Sequence, residues 1–292
     1  MLQIASDLHL EQYFAANIKA KVVPTYKEFC DVLSDKNVIH LKSQDGLTPT
    51  SLNVDSKSNV TLLIAGDICR LADYYIFCKY FIRFCSDSFH KVIWILGNHE
   101  YYTDKKVTME KIVELAQNLS LQYTNVTFLN NSSTDLDDSL TVWGGTLWSY
   151  IPQSANFKLN LPIFINEANQ PKQINSDDYN KLFLDSYLSL QQAIITTKAC
   201  GKKLIVCSHH APLFDHMSDV WKQSPLRHLY ATDLLSLCLP ELVSLWVCGH
   251  THVNIDMFSP NHTRIVCNSD PTKSDYNPCF CIPNDRLWNS MA

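Results

Sequence analysis

No apolar run in this chain approaches the roughly 18 uninterrupted residues that a membrane-crossing helix needs, so no membrane partner is expected. The opening residues, Met1-Leu-Gln-Ile-Ala-Ser-Asp7, have neither a basic stretch nor a long apolar one, and do not read as a secretory leader. Long runs of like charge are missing too, and a net charge of −5 offers no electrostatic footprint for nucleic acid. That disfavours long, structured DNA and leaves a small nucleotide open. The 11 cysteines are odd in number and show no compact disulfide spacing. Cys69, Cys78, Cys85, Cys207, Cys238, Cys248 and Cys267 sit among apolar neighbours, as small hydrophobes do. Cys279 and Cys281 lack the second pair that would complete a zinc site. These absences together predict a reduced protein of the cytoplasm or nucleus. Protein partners are not legible. Glycine is scarce, with 7 in 292 residues, so the place of each one carries weight.

What is present is a strongly apolar chain, 46% hydrophobic, with enough material for a sizeable core. Short β-branched runs predict buried strands at 2–5, 60–65, 92–96, 126–129, 203–208 and 245–248. Strands at 253–258 and 263–267 are expected to form a hairpin, and Gly144-Gly145 within 140–148 suits a tight turn or bulge in a second, antiparallel sheet. Helical spacing of apolar residues marks 71–84, 103–119 and 179–199, the last with Gly201 as its cap, and a short helix is expected at 232–238. Residues 12–58 read as an insertion, with a helix at 26–33, a strand at 38–41 and a polar loop at 43–58. Residues 149–178, irregular and containing Pro152, Pro162 and Pro171, read as a lid or surface loop. From Asp270 onward an irregular tail is expected on the surface. The expectation is one domain over 1–292.

Five of the strands end in groups able to bind metal: Asp7/His9, Asp67, Asn98/His99, His209 and His250/His252. Gly66, Gly97 and Gly249 directly precede such groups, and six of the 11 histidines, counting His210, belong to them. Alternation along an extended chain would put Asp7 and His9 on the same side, with Leu8 turned away. Open α/β sheets place ligands at the carboxyl ends of their strands. Eight candidate groups exceed the four to six ligands that one transition metal takes, which points to two cations. A carboxylate can bridge two ions about 3.5–4 Å apart, lowering the pKa of a bridging water and clamping phosphoryl oxygens. Mixed imidazole, carboxylate and amide ligation suits manganese, iron or zinc.

The order D-x-H, GD, GNHE, HH-x-P, GHTH, from Asp7 to His252, resembles the calcineurin-like metallophosphoesterase superfamily. It looks most like the small, single-domain, microbial-type members. The resemblance implies an α/β four-layer sandwich, two mixed β-sheets flanked by helices, with a dinuclear site at the sheet edges. It implies that Asp7, His9 and His252 hold one metal, that Asn98, His209 and His250 hold the other, and that Asp67 bridges. His99 matches the family's catalytic histidine. His210, the second of the adjacent pair, either supports a ligand from behind or faces the substrate. The chain departs from the protein phosphatases of this superfamily, which continue GD as GD-x-x-D-R-G and place Arg before GNHE. Here Leu96 precedes Gly97, and Arg70 either substitutes as a phosphate clamp or caps a helix start.

The activity so implied is hydrolysis of a phosphomonoester or phosphodiester by a metal-bridging hydroxide. A nuclease acting on DNA ends and a catalytically silent scaffold of the same fold are the alternatives. The acidic balance counts against the first, and the complete ligand set against the second. Tyr101, Tyr102, Trp148 and Tyr150 stand near the expected site, either to stack on a base or to pack in the core.

Overall fold

The computed structural model describes residues 1–39, 58–155 and 157–283. The first half of the chain lays down one sheet. Strand β1 (Leu2–Ala5) is followed by helices α1 (Ala15–Ala20) and α2 (Tyr26–Asp35). Then come β2 (Ser58–Ile64), α3 (Tyr75–Ser88), β3 (Phe89–Trp94), α4 (Met109–Ser120) and β4 (Val126–Phe128). The four strands pair parallel in that order, the arrangement that helical crossovers permit.

The second half opens on antiparallel β5 (Ser132–Asp137) and β6 (Leu140–Gly145), then a hairpin of β7 (Phe164–Glu167) and β8 (Gln170–Gln173). The long helix α5 (Ser176–Ala199) leads into β9 (Lys203–Ser208), the one-turn α6 (Asp219–Lys222), β10 (Leu245–Cys248), β11 (Ile255–Phe258) and β12 (Arg264–Cys267). In space the second sheet runs β11-β12-β10-β9-β6-β5, its four inner strands parallel and both edges antiparallel. A last strand, β13 (Cys281–Ile282), returns to pair antiparallel with β1.

Period-two alternation explains why these strands read as unbroken apolar runs. On β2, Leu63 joins the layer between the sheets while Leu62 and Ile64 pack on α3 and α4 residues such as Phe81 and Ile112. On β9, Ile205 and Cys207 face that same central layer, and Leu204 and Val206 pack beneath Leu190 and Ile194 of α5. Both strands are buried on both faces, as parallel sheets covered by helices require. The result is the four-layer α/β sandwich of two mixed sheets. Helix ends are set locally. Thr25 with Glu28, and Asn175 with Asp178, form capping boxes at the starts of α2 and α5. Gly201 takes φ +66° just beyond α5, as a helix stop requires.

Several elements differ from their sequence reading. Gly144-Gly145 is no turn, because β6 runs straight through both. A Cβ on Gly144 would lie 2.7 Å from the Leu129 Cβ and 2.8 Å from Ile95, so this glycine allows the two sheets to approach closely. Residues 149–178 are not a loose loop. They hold the β7–β8 hairpin, and Ile151, Leu159, Ile163 and Ile174 are buried in the core around α4. The helix expected at 232–238 is a single 3-10 turn, Leu235–Leu237. Val38 and Ile39 are buried without forming a strand, while the rest of 38–41 and residues 43–57 of the expected loop lie outside the described residues. The tail after Asp270 contributes β13 rather than staying wholly irregular. Among the described residues no helix is long and apolar enough to cross a membrane, and the cysteines form no disulfide.

Candidate metal centre

Parallel strands deliver their carboxyl ends to one edge, and β1, β2, β3, β9 and β10 bring all seven expected ligands there. Extended alternation is not how this happens. Asp7, His9, Asp67, His250 and His252 have φ of 53°, 43°, 55°, 67° and 52°, the left-handed region that costs non-glycine residues about 1–3 kcal/mol each. The chain turns sharply at the ends of β1, β2 and β10 and swings these side chains back over the edge. Leu8, between Asp7 and His9, is buried in the core. Glycines make room for this. A Cβ on Gly249 would stand 2.6 Å from Asp7 Oδ2, and one on Gly97 would meet the Asp67 carboxylate and approach His209 Cε1 to 2.7 Å.

His209, fully buried, places Nδ1 2.7 Å from the Ala65 carbonyl. A carbonyl can only accept, so Nδ1 carries the hydrogen and Nε2 is left facing Asn98 Oδ1 at 2.9 Å and Asp67 Oδ2 at 3.3 Å. The Asn98 amide is oriented by its Nδ2, which donates to the Tyr102 hydroxyl at 2.9 Å. His250 donates Nε2–H to the Leu229 carbonyl at 3.0 Å, leaving Nδ1 as its lone pair. Asp67, His209 and His250 form one compact group of metal-capable atoms.

Asp7, His9 and His252 form a second group. His252 Nε2 lies 3.4 Å from Asp7 Oδ1 and 3.4 Å from His9 Nε2, and its Nδ1 donates to Asp270 Oδ2 at 3.1 Å. Asp67 Oδ2 is 3.9 Å from His9 Nε2, so this carboxylate stands between the two groups. A third group, His9, Glu11 and His99, shares His9.

Lone pairs that converge at these distances repel one another unless positive charge sits among them. In the protein alone protons supply it. Burial pushes the His209 imidazolium down, but the Asp67 carboxylate overrides this and lifts its pKa to about 10. Likewise burial opposes charge on His252, while Asp7 and Asp270 raise it to about 9. His250 goes the other way, to about 3, through burial and the neighbouring His209. Each acceptor cluster therefore calls for a cation, and the donor set fits divalent metal.

Two residues that sequence reasoning passed over hold this arrangement. Asp270 follows the end of β12, making it a sixth strand end at the same edge. A carboxylate behind a ligating imidazole fixes the ring and raises its basicity, and losing such a partner typically costs 10–100-fold in metal affinity, roughly the scale expected here. Asp270→Ala should therefore weaken metal uptake by the Asp7/His9/His252 group, as read by equilibrium dialysis. Unaltered affinity would show that His252 needs no such support. Its sequence signal was slight: a polar Asn-Ser-Asp ending one more apolar strand.

Glu100, wholly buried, is the other. Its Oε2 accepts from the Asp67 and Gly97 amides at 2.9 and 2.6 Å, and its Oε1 from those of Ile68 and Cys69. One carboxylate thus ties the loop after β2 to the loop after β3 and sets Asp67 against Asn98. In Glu100→Gln an NH₂ would face two of those donors. At about 1–3 kcal/mol per buried donor left unsatisfied, a loss of about 2–6 kcal/mol is expected by chemical denaturation. Wild-type stability would rule out the clamp.

A cleft of about 410 Å³ opens over the edge, lined by Asp67, Asn98, His99, His210, His250 and His252 among others. His99 donates its backbone N–H to Asp67 Oδ1 at 2.8 Å, which presents the ring to the cleft. His210 is buried and neutral, with its pKa held well below the usual value by burial and by His250 and His209. Its Nε2 lies 3.2 Å from the Tyr179 hydroxyl. Arg70 is not brought to the cleft. It pairs with Asp73 at 2.7 Å and Asp104 at 3.1 Å, and its Nε donates to the Tyr102 carbonyl. Its charge is already answered, which removes the reason to read it as a phosphate clamp. Of the four aromatics singled out in the sequence, Tyr101 and Trp148 are core residues and Tyr150 lies outside the cleft lining, leaving Tyr102.

The chain is similar to several known proteins. The chain is 26% identical over 303 residues to an uncharacterized protein, L509, of Acanthamoeba polyphaga mimivirus, covering 98% of each chain. Among solved structures it resembles a phosphopantetheinyl hydrolase of Mycobacterium tuberculosis, with a TM-score of 0.56 at 14% identity over 92% of this chain and 88% of that one. A dimetal phosphatase of Danio rerio also matches, with a TM-score of 0.48 at 9% identity over 92% and 87%. The profile of the calcineurin-like phosphoesterases matches residues 4–254. The chain belongs to the calcineurin-like phosphoesterase family and is a metal-dependent hydrolase of phosphate esters.

Proposed function

We propose that this chain hydrolyses a small phosphomonoester or phosphodiester at a dinuclear centre in which Asp7, His9 and His252 hold one divalent ion and Asn98, His209 and His250 the other. Asp67 is shared. The observation that carries this reading is the pair of acceptor clusters meeting at Asp67 Oδ2, 3.3 Å from His209 and 3.9 Å from His9. Manganese, iron and zinc are the ions the donors suit. When bound, such ions lower the pKa of a water and neutralise phosphoryl oxygens.

The chain's own residues do the rest. The carbonyls of Ala65 and Leu229 and the carboxylate of Asp270 lock three imidazoles with their lone pairs toward the edge. His99 lines the cleft, where its ring would give a proton to the departing alkoxide of an ester bound there. His210 lines the same cleft beside Tyr179, where a phosphoryl oxygen or the ester group would lie. The described residues act as one domain in this reading, since β13 and β1 share a sheet.

The test is hydrolysis of p-nitrophenyl phosphate and bis-p-nitrophenyl phosphate by protein first stripped with chelator and then reloaded with manganese. An Asn98→Ala control runs alongside. Metal-dependent turnover, lost in the control, is the expected result. Turnover that survives chelation, or none with both ions bound, would sink the proposal.

A further inference from the structure

The cleft has a second end that the candidate metal centre does not use. Trp221 and Tyr230 line the cleft there. We propose that Trp221 and Tyr230 form a stacking subsite that selects a phosphodiester bearing a planar aromatic group, with a nucleoside ester as the simplest case. This rests on the phosphoesterase reading above and deepens it.

Three observations carry it. The first is a ladder of rings leading out from a proposed ligand. Tyr230 stacks on His250, with centroids 5.0 Å apart at 28°, and Trp221 lies on Tyr230 at 5.2 Å. The inner rung is anchored, because Tyr230 N–H donates to Arg227 O and Tyr230 O accepts from Ala211 N, next to the His209-His210 pair. The second is the outer rung's exposure. Trp221 is 38% exposed, on a helix of one turn, so its indole keeps surface open at the mouth of the cleft. Every base offers a π-face to such a surface, and base–aromatic stacking is worth about 1–3 kcal/mol.

The third is charge. Among the described residues no Lys or Arg lines the cleft. The cations nearest in sequence are engaged elsewhere: Lys222 pairs with Asp219 at 3.0 Å, and Arg227 lies over the Phe214 ring at 5.2 Å. A monoester carries about −1.5 to −2 near neutral pH and would find no side-chain cation beyond the centre, whereas a diester carries a single charge. A polynucleotide would need basic residues along its track, so the fitting ligand is small.

Two methyl phosphodiesters, only one of which carries a planar group, decide it: adenosine 5′-(methyl phosphate) and glyceryl methyl phosphate, followed by ³¹P NMR with the manganese-loaded protein. The adenosine ester is expected to be the better substrate. Trp221→Ala should lower its kcat/KM, mainly through KM, by roughly 5–150-fold more than that of the glyceryl ester, and Trp221→Phe should restore most of the loss. Quenching of tryptophan fluorescence by adenosine, weakened in Trp221→Ala, gives a readout independent of turnover. Equal losses on both esters, or no preference in the wild type, would overturn the subsite. If bis-p-nitrophenyl phosphate is not hydrolysed at all, the phosphoesterase reading fails instead. The quenching then decides the subsite alone, and its absence overturns it.

Discussion

Asp67→Ala is expected to empty both halves of the centre together. Its Oδ2 lies 3.3 Å from His209 Nε2 and 3.9 Å from His9 Nε2, which puts this carboxylate between the groups. Burial would raise its pKa, yet the His209 charge holds the carboxyl well below the usual range, so it is an anion ready for a cation. Its Oδ1 also holds the His99 amide at 2.8 Å. Removing a partner behind a ligand costs roughly 10–100-fold in metal affinity, and removing a shared ligand should cost more. Metal analysis after gel filtration checks it: occupancy should fall at both positions and turnover with it. Full loading with two ions per chain would remove Asp67 from its bridging role. Asp67→Asn separates charge from shape, since the amide oxygen still accepts from His99 N–H while the negative charge is lost.

His99→Ala should leave metal content intact and cut turnover by roughly 10²–10⁴-fold, the usual contribution of a positioned acid or base. The ring stands 4.6 Å from that of Tyr102 and 4.6 Å from that of His9, at the cleft rather than behind it. If it protonates the departing oxygen, the loss should be largest for alkyl esters and smaller for p-nitrophenyl esters, whose leaving group needs little protonation. A uniform loss across leaving groups would remove the acid role. Loss of bound metal would favour instead the grouping of His99 with His9 and Glu11.

Local chemistry made much of this protein legible in its sequence. The spans predicted for β1, β9 and β10 coincide with the observed strands, because a run such as Leu245-Trp-Val-Cys248 can be buried on both faces only within a sheet. The five ligand-bearing strand ends were legible for the same reason. Each sits where apolar chain stops and a polar side chain begins, and parallel pairing then sends every such end to one edge. In that sense the sequence by itself determined the fold class, the family and which strand ends meet.

What it did not determine depends on partners distant in the chain. The left-handed turns at Asp7, His9, Asp67, His250 and His252 run against residue preference and persist only because packing holds them, as with Gly249 against Asp7. Asp270 looked like the start of a surface tail, and becomes a support for His252 only once β12 lies beside β10. Glu100 read as one more letter of a motif, although its four amide partners come from loops 28 or more positions apart in their numbering, Gly97 on one side and Asp67, Ile68 and Cys69 on the other. Beside Tyr102, the cleft takes Trp221 and Tyr230 from a stretch that reads as plain loop. Tyr101 and Trp148, nearer the motifs, went to the core. Apolar patterning decides which strands form and where they end. The turn each end makes, and which distant side chains meet there, are settled by long-range packing that no local window of sequence contains.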